Sequence, residues 1–588
     1  MSPGKITVLM LSGVLLIYLS AFMLLPSGAF WITDGGNKFI LIQNMERYGS
    51  INIEYPARNI DPEGRFFPRA DFHFQKVGEN IQSFYPPYYP FLALGAYKLM
   101  GINGIMLLSL LSMMVVVYLS VSIADALGVE DRWRWTIPVV ALCTPFFFYS
   151  QVFWEHAFSM IFSSIAFILI LKSGVWENGS ARRIRIFMFL AGGLVGFSGI
   201  FREESYIFFG AVGLSMLFLR VKFRHLAVFG CAWAAVLCPL WIYQYMAYGH
   251  VLGIHAVGYN ALAAQSPAGG ILDRIILKFS NFYVFLYQFD VTAPPPSKWY
   301  MLLALPAVVL TFCGICFRAT RLMFVVKSIL AGLCATMSVV LTVLLAGNND
   351  PAINTLFTKG FIVGSPFLLL PLMFFYDLWR ANIRIRFVLM ITVIFSLVTC
   401  LFLNQGVLGV IWGARHFLVL FPLLAPVAIL AARKFIKSRT TRFSGYVVLI
   451  VALLFVSSLL IQTIAVRTIY IKKTASNMIM DALRSTPSAV VATDIYWLNE
   501  DCAPLYFEKQ FMQLLSDRDL FDFIAALKSK GVDKFNLVLS LQPHFRVFTN
   551  AGMARFNEYV EIIGHREIRP PHAGFMDVIL VECRIRRH

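Results

Sequence analysis

Nine polar side chains stand where a strongly apolar chain can least tolerate them: Asp34, Glu155, His156, Arg202, Glu203, Glu204, Lys359, Arg415 and His416. Each borders an apolar run, and ionisable groups at such places are costly unless paired or used. Their types suit group transfer. A carboxylate can accept the proton of an attacking hydroxyl. Arginine or lysine can stabilise the charge that grows on a departing phosphate. A cavity shared by all nine would account for their positions together.

Each residue also has a plainer explanation. Asp34 could cap the helix that follows it. Glu155-His156 could be a polar turn. Arg202 could clasp Glu203 or Glu204 for structural reasons only, and Arg415 could snorkel from a helix end. The aromatic stretch Phe84, Tyr85, Tyr88 and Tyr89 suits interfacial packing as well as a platform for sugar rings. His73, His544 and His572 are expected to be solvated loop residues.

The elements that must position these groups are membrane helices. Of 588 residues, 58% are hydrophobic and only 14% charged, against roughly a quarter charged in a soluble domain. Mean hydropathy is +0.70. The net charge of +18 does not indicate nucleic-acid binding, because the basic residues lie in short clusters between apolar runs. About thirteen such runs follow one another, from Ile6–Leu25 to Phe443–Val466, several shorter than the roughly 20 residues of a perpendicular span. With the N-terminus cytoplasmic, every inner loop is basic, as in Lys172–Arg185 and Arg433–Arg442, while short outer connections are nearly free of Lys and Arg. All nine polar residues then fall on the outer side, as does the C-terminal tail.

The expected fold class is mainly α, a polytopic transmembrane helical bundle over residues 1–466 with a C-terminal extracytoplasmic α/β domain over 467–588. Two outer loops are long, at 26–100 and 244–298. The first holds a helix from Gly35 to Tyr48, closed by Gly49. The second holds an interfacial helix over Ile271–Leu286, followed by Pro294–Pro296. In the tail, Ser488–Thr493, Asn536–Leu541 and Phe575–Cys583 read as strands, and Ser516 to Lys530 as a capped helix. No phosphate loop, nucleophile elbow or metal-ligand spacing occurs there, so the domain is expected to support the site or recognise an acceptor. Most cysteines read as small apolar core residues, including the Cys313/Cys316 pair. Cys502 and Cys583 could pair in an oxidising compartment.

Several short stretches carry a resemblance. Thr33-Asp34-Gly35-Gly36 after the first span, Glu46-Arg47-Tyr48-Gly49-Ser50, and Ser83-Phe84-Tyr85-Pro86-Pro87-Tyr88-Tyr89-Pro90-Phe91 resemble the opening of GT-C membrane glycosyltransferases. The branch is that of protein O-mannosyltransferases and the lipid A aminoarabinose transferase. Phe153-Trp154-Glu155-His156 and Gly413-Ala414-Arg415-His416-Phe417-Leu418 are similar to stretches in uncharacterised members. The resemblance implies that Asp34 is the catalytic base. It departs from the O-mannosyltransferases, since a lone Asp34 followed by glycines replaces their Asp-Glu pair, so their acceptor is not implied.

The expected function is therefore glycosyl transfer, inverting, from a polyprenyl-phosphate-linked donor to a cell-envelope acceptor. Arg202, Arg415 and Lys359 would bind the donor phosphate. Glu155, His156, Glu203, Glu204 and His416 would support them, and Tyr85, Tyr88 and Tyr89 would line a substrate groove. The expected partners are the lipid-linked donor and membrane lipids, not nucleic acid. No cofactor or metal ligand is assigned, and metal dependence and oligomeric state stay open. The expected location is a bacterial inner membrane. A lipid or solute transporter would instead need paired repeats and broken midplane helices. A non-catalytic assembly protein would tolerate loss of Asp34.

Overall fold

The computed structural model describes residues 3–68, 73–130, 132–177, 179–257, 305–318, 320–402, 411–437, 444–542 and 547–586, with single positions between 258 and 304. The expected interfacial helix over Ile271–Leu286 lies largely, and the stiff Pro294–Pro296 entry wholly, outside the described residues.

The chain is a helical membrane bundle carrying a small sheet domain. Among the described residues, each of the thirteen apolar runs overlaps helix. Among the described residues eight helices are long and apolar enough to cross a bilayer, and His156–Lys172, Glu204–Phe218 and Leu305–Cys316 are shorter apolar helices. The two remaining runs are broken. One divides into α4 (Arg132–Leu142) and α5 (Phe146–Tyr149) at Pro145. The other becomes short turns, Phe361–Gly364, Pro366–Leu368, Leu369–Met373 and Phe375–Ala381. Pro366 and Pro371 lack the N–H that a continuous helix needs. Both broken runs are wrapped by other helices: Phe146, Phe148, Phe367 and Leu370 are fully buried. The first helix, α1 (Pro3–Leu24), has the opposite character, leaving Leu9, Leu16 and Met23 exposed as a bilayer-facing side chain would be.

Four of the expected inner loops meet one another. Arg384 donates to the Ala126 carbonyl at 2.8 Å and pairs with Glu177. Arg433 lies 3.5 Å from Glu130, and Lys434 3.7 Å from Asp377. The unusual polar residues collect instead where α2 (Thr33–Tyr48) meets α3 (Tyr88–Ala126), α6 (His156–Lys172), α7 (Ala181–Phe201) and α8 (Glu204–Phe218). As expected, α2 ends at Gly49, whose φ of 64° is a left-handed cap favouring glycine. A hairpin of β1 (Phe74–Val77) and β2 (Asn80–Ser83) completes the described part of the long loop after the first helix.

The last of the long apolar helices, Ser444–Ser485, has 42 residues. At 1.5 Å per residue it is roughly 60 Å long, about twice the bilayer core. It therefore leaves the membrane unbroken, and the expected boundary at 466/467 lies inside it. Beyond it stands a five-stranded sheet ordered β4 (Gln510–Gln513), β3 (Val490–Thr493), β5 (Lys534–Ser540), β7 (Val578–Ile585), β6 (Val560–Ile568). β3 pairs in parallel with β4 and β5, whereas β7 runs antiparallel to β5 and β6. Asp517–Ser529 is the expected helix, capped by the Ser516 hydroxyl accepting from Asp519 N–H. β4, β6 and helix Asn550–Tyr559 had no clear sequence signal. Cys502 and Cys583 do not pair: both are free and buried, Cys502 in the core against Ser444–Ser485 and Cys583 in that on the sheet's other side.

This domain is seated on the long loop after the first helix, expected to be outer. The Gln513 N–H donates to the Phe66 carbonyl at 2.8 Å, and Arg65 bonds Asp519 at 3.0 Å and Asp522 at 2.5 Å. Lys472 bridges the Phe30 carbonyl at 3.2 Å and Asp501 at 2.7 Å. The closest approach is backbone to backbone. A Cβ on Gly36 would lie 1.9 Å from the Glu500 carbonyl oxygen, so this contact admits glycine alone.

Candidate active site

Helix α2 places Asp34 and Lys38 one turn apart on one face, and both are buried. Asp34 is not a cap. The N-cap residue is Ile32, with no side-chain bond, and Asp34 lies inside the first turn. Its Oδ1 accepts from the Tyr85 hydroxyl at 2.6 Å, and its Oδ2 faces Arg415 at 3.1 Å. Burial alone would raise this carboxyl's pKa. Arg415, Lys38, His73 and the Tyr85 hydroxyl outweigh burial and hold it down at about 2. Asp34 is therefore a carboxylate at neutral pH.

Lys38 leads into a second chain of charges. Its ammonium lies 2.5 Å from Glu155 Oε2 and 4.8 Å from the Tyr85 ring centroid. The Glu155 Oε1 accepts from Arg202 at 2.7 Å. Arg202 turns its other edge to Glu204, with Nε donating at 2.9 Å and Nη2 also bonded. Glu204 in turn touches His416 Nδ1. The clasp on Arg202 thus uses Glu204 together with Glu155. Glu203 instead points to His255, at 2.7 Å. Arg415 stacks over Trp154, 5.3 Å from its ring centroid.

A narrow cleft opens beside these groups, lined by His156, Ser159, Arg202, Glu204, Arg415 and His416. The hydroxyls of Ser159, Ser163, Ser198 and Ser205 bond one another across α6, α7 and α8 at 2.7–3.3 Å. Among the described residues His156 Nε2 is buried without a partner.

Of the nine residues singled out, seven form this cluster: Asp34, Glu155, His156, Arg202, Glu204, Arg415 and His416. Glu203 lies on its rim. Lys359 is buried after Pro351–Thr358, on a segment whose Gly364 packs against Gly413, two residues before Arg415. The aromatic residues separate. Tyr85 touches Asp34, Tyr88 accepts from Gln244 at 3.4 Å, and Tyr89 is core, stacked on Phe153 and bonded to Ser109. A groove lined by all three is therefore not formed.

Lys38 was not singled out, although its spacing of four from Asp34 on a helix was a usable signal. His73 is not a solvated loop residue. It is buried, and Nδ1 lies 3.1 Å from Glu500 Oε1 in the C-terminal domain. Burial pushes the Glu500 carboxyl up from its ordinary range, with His73 opposing. His572 is exposed as expected, and His544 lies outside the described residues. Among the described residues no three His, Cys, Asp or Glu side chains converge as a metal site.

No family model and no curated protein matches the sequence. Solved structures resemble its chain course. ArnT from Cupriavidus metallidurans in the apo state superposes with a TM-score of 0.49 at 12% identity, over 99% of this chain and 98% of that one. The same protein bound to undecaprenyl phosphate gives 0.41 at 12% identity, with the same coverage. The archaeal oligosaccharyltransferase AglB from Archaeoglobus fulgidus, in complex with an inhibitory peptide and a dolichol-phosphate, gives 0.46 at 11% identity, over 91% of this chain and 69% of that one. At these scores the likeness decides nothing about substrates, so the functional assignment rests on the cluster itself.

Proposed function

We propose that this chain is a glycosyltransferase of the outer face of a bacterial inner membrane. It would move a sugar from a polyprenyl-phosphate carrier to a cell-envelope acceptor, with inversion. The observation that supports this reading is the Asp34–Arg415 pair, a carboxylate 3.1 Å from a guanidinium: the first suits accepting a proton and the second suits binding a phosphate.

The reaction follows from that pair. A donor phosphate draws on Arg415, and Asp34 Oδ2 is released to meet the acceptor hydroxyl. The acceptor oxygen bonds to the sugar's anomeric carbon as the bond from that carbon to the phosphate oxygen breaks. The electron pair leaves with the phosphate, and the hydroxyl proton passes to Asp34. Tyr85 holds the other carboxylate oxygen in place. Arg202, fixed by Glu155 and Glu204, contributes positive potential, and the apolar helices supply a groove for the lipid. The C-terminal domain, seated on the first outer loop, suits acceptor recognition.

The test is sugar incorporation into envelope glycans in membranes from wild type and Asp34→Asn cells. Loss in the variant, at normal protein level, is expected. Full activity would remove Asp34 as the base.

A further inference from the structure

The charges of the paired cluster balance. Asp34, Glu155 and Glu204 face Lys38, Arg202 and Arg415 in ion pairs. A phosphodiester brings one further negative charge into this buried set, and unbalanced charge in such surroundings is costly. Two imidazoles border the same cleft. The partners of His416 define its form. Nδ1 lies against a Glu204 carboxylate oxygen, so that nitrogen carries the hydrogen and donates. Nε2 lies 3.4 Å from Arg415 Nε, which can only donate, so it presents a lone pair. His416 in this arrangement is neutral and can gain one proton at Nε2.

We propose that His416 is a charge-switching ligand of the donor phosphate: it takes up a proton as the phosphate enters between Arg415 and Arg202, and Nε2–H then donates to a phosphate oxygen. This rests on the lipid-phosphate reading above and adds a residue to it.

The groups facing His416 favour it over its neighbour. Glu204 reaches it from α8, Arg202 from the end of α7, His156 from α6, and Arg415 from its own segment with Asp34 of α2 behind. Glu204 stabilises an imidazolium directly, as a carboxylate behind a histidine does. His156 instead sits against Tyr149 and Trp154, edge to face, and no carboxylate bonds it. The proton also serves the reaction. When the glycosidic bond breaks, the phosphate goes from one negative charge to two, and an imidazolium beside it meets the added charge.

The probe is the methyl diester of a short-chain polyprenyl phosphate, whose single charge does not titrate near neutrality. Binding to the purified full chain in detergent is followed calorimetrically at about pH 7.5, in two buffers of different ionisation enthalpy. Wild type should take up close to one proton per diester, and affinity should weaken up to about tenfold per unit as pH rises above neutral. His416→Gln should bind without uptake, and His156→Gln should keep it. Buffer-independent heat in wild type, or uptake retained in folded His416→Gln, would overturn the proposal while leaving the lipid-phosphate reading intact. Absence of diester binding by wild type would overturn that reading and this one together.

Discussion

Asp34 Oδ2 and the Arg415 guanidinium lie 3.1 Å apart, across 381 positions of sequence. The pair sets a pH dependence. The folded pKa of Asp34 is held from 3.8 to about 2, so its stabilising contribution is complete above about pH 4 and is lost as pH falls through about 2. A shift of this size corresponds to roughly 2 kcal/mol. Asp34→Asn should therefore flatten thermal stability between about pH 4 and 2 relative to wild type. It should also reduce transfer at neutral pH by about a hundredfold or more. Melting curves in detergent across that range check the first part. A variant that loses stability as steeply as wild type would show that the pair contributes nothing.

Lys38 is 2% exposed and holds Glu155. Removing one partner of a buried pair leaves the other charge uncompensated, at a cost of about 3–5 kcal/mol. Lys38→Met should therefore melt well below wild type. Glu155 also bonds Arg202, so Lys38→Met/Glu155→Gln should not regain full stability, but it should be less destabilised than the sum of the single variants. A double-mutant cycle of melting or denaturant midpoints measures this coupling. Additive single effects would mean that the contact is not felt.

Much of this was legible in the sequence because the strongest signals are one-dimensional. Apolar runs and the Gly49 stop each depend on neighbours in the chain, and both appear where their pattern placed them. The convergence of Asp34, Glu155, Arg202, Glu204, Arg415 and His416 was also legible, since charges at the edges of apolar runs must find one another. Tyr88 and Tyr89 were misplaced for the opposite reason. Adjacent residues on a helix point about 100° apart, so a stretch of aromatic residues cannot line one groove. His73 and Glu500 were invisible because their burial is created by the docking of a domain more than 400 residues away, which no local pattern encodes.

That docking is itself testable at Gly36. A methyl group there would overlap the Glu500 carbonyl, with 1.9 Å between the atoms. Backbone on both sides leaves no flexible side chain to yield. Gly36→Ala should loosen the sheet domain from the outer loop, and limited trypsin digestion should cleave residues 486–586 faster than in wild type. Transfer should fall as well, since α2 also carries Asp34. Unchanged digestion would mean that the contact relaxes without cost.

The orientation expected from the basic loops can be tested independently of the chemistry. Arg518 is 85% exposed on the sheet domain, and Cys502 and Cys583 are too buried to compete for reagent. In a background with Cys231, Cys238 and Cys316 replaced by serine, Arg518→Cys in sealed cells should react with an impermeant thiol reagent. Arg321→Cys, in an expected inner loop, should react only after permeabilisation. The reverse pattern would turn the molecule over and place the candidate site on the cytoplasmic side.

The last prediction concerns Arg202, whose Nε and Nη2 bond Glu204 while Nη1 bonds Glu155. Lysine would keep the charge, but its single ammonium cannot reproduce a planar fork held by two carboxylates. Arg202→Lys should cost roughly 1–3 kcal/mol of stability, the price of buried acceptors losing charge-assisted bonds. Glu204 would also lose the anchor that holds it against His416. Transfer per folded molecule should therefore drop about tenfold or more, equivalent to about 1.4 kcal/mol in the barrier. Specific activity and melting temperature, measured on the same purified samples, separate two roles. A lower melting temperature with normal specific activity would make Arg202 a structural clasp only. Loss of both would mean that the guanidinium organises the cluster and the phosphate site together.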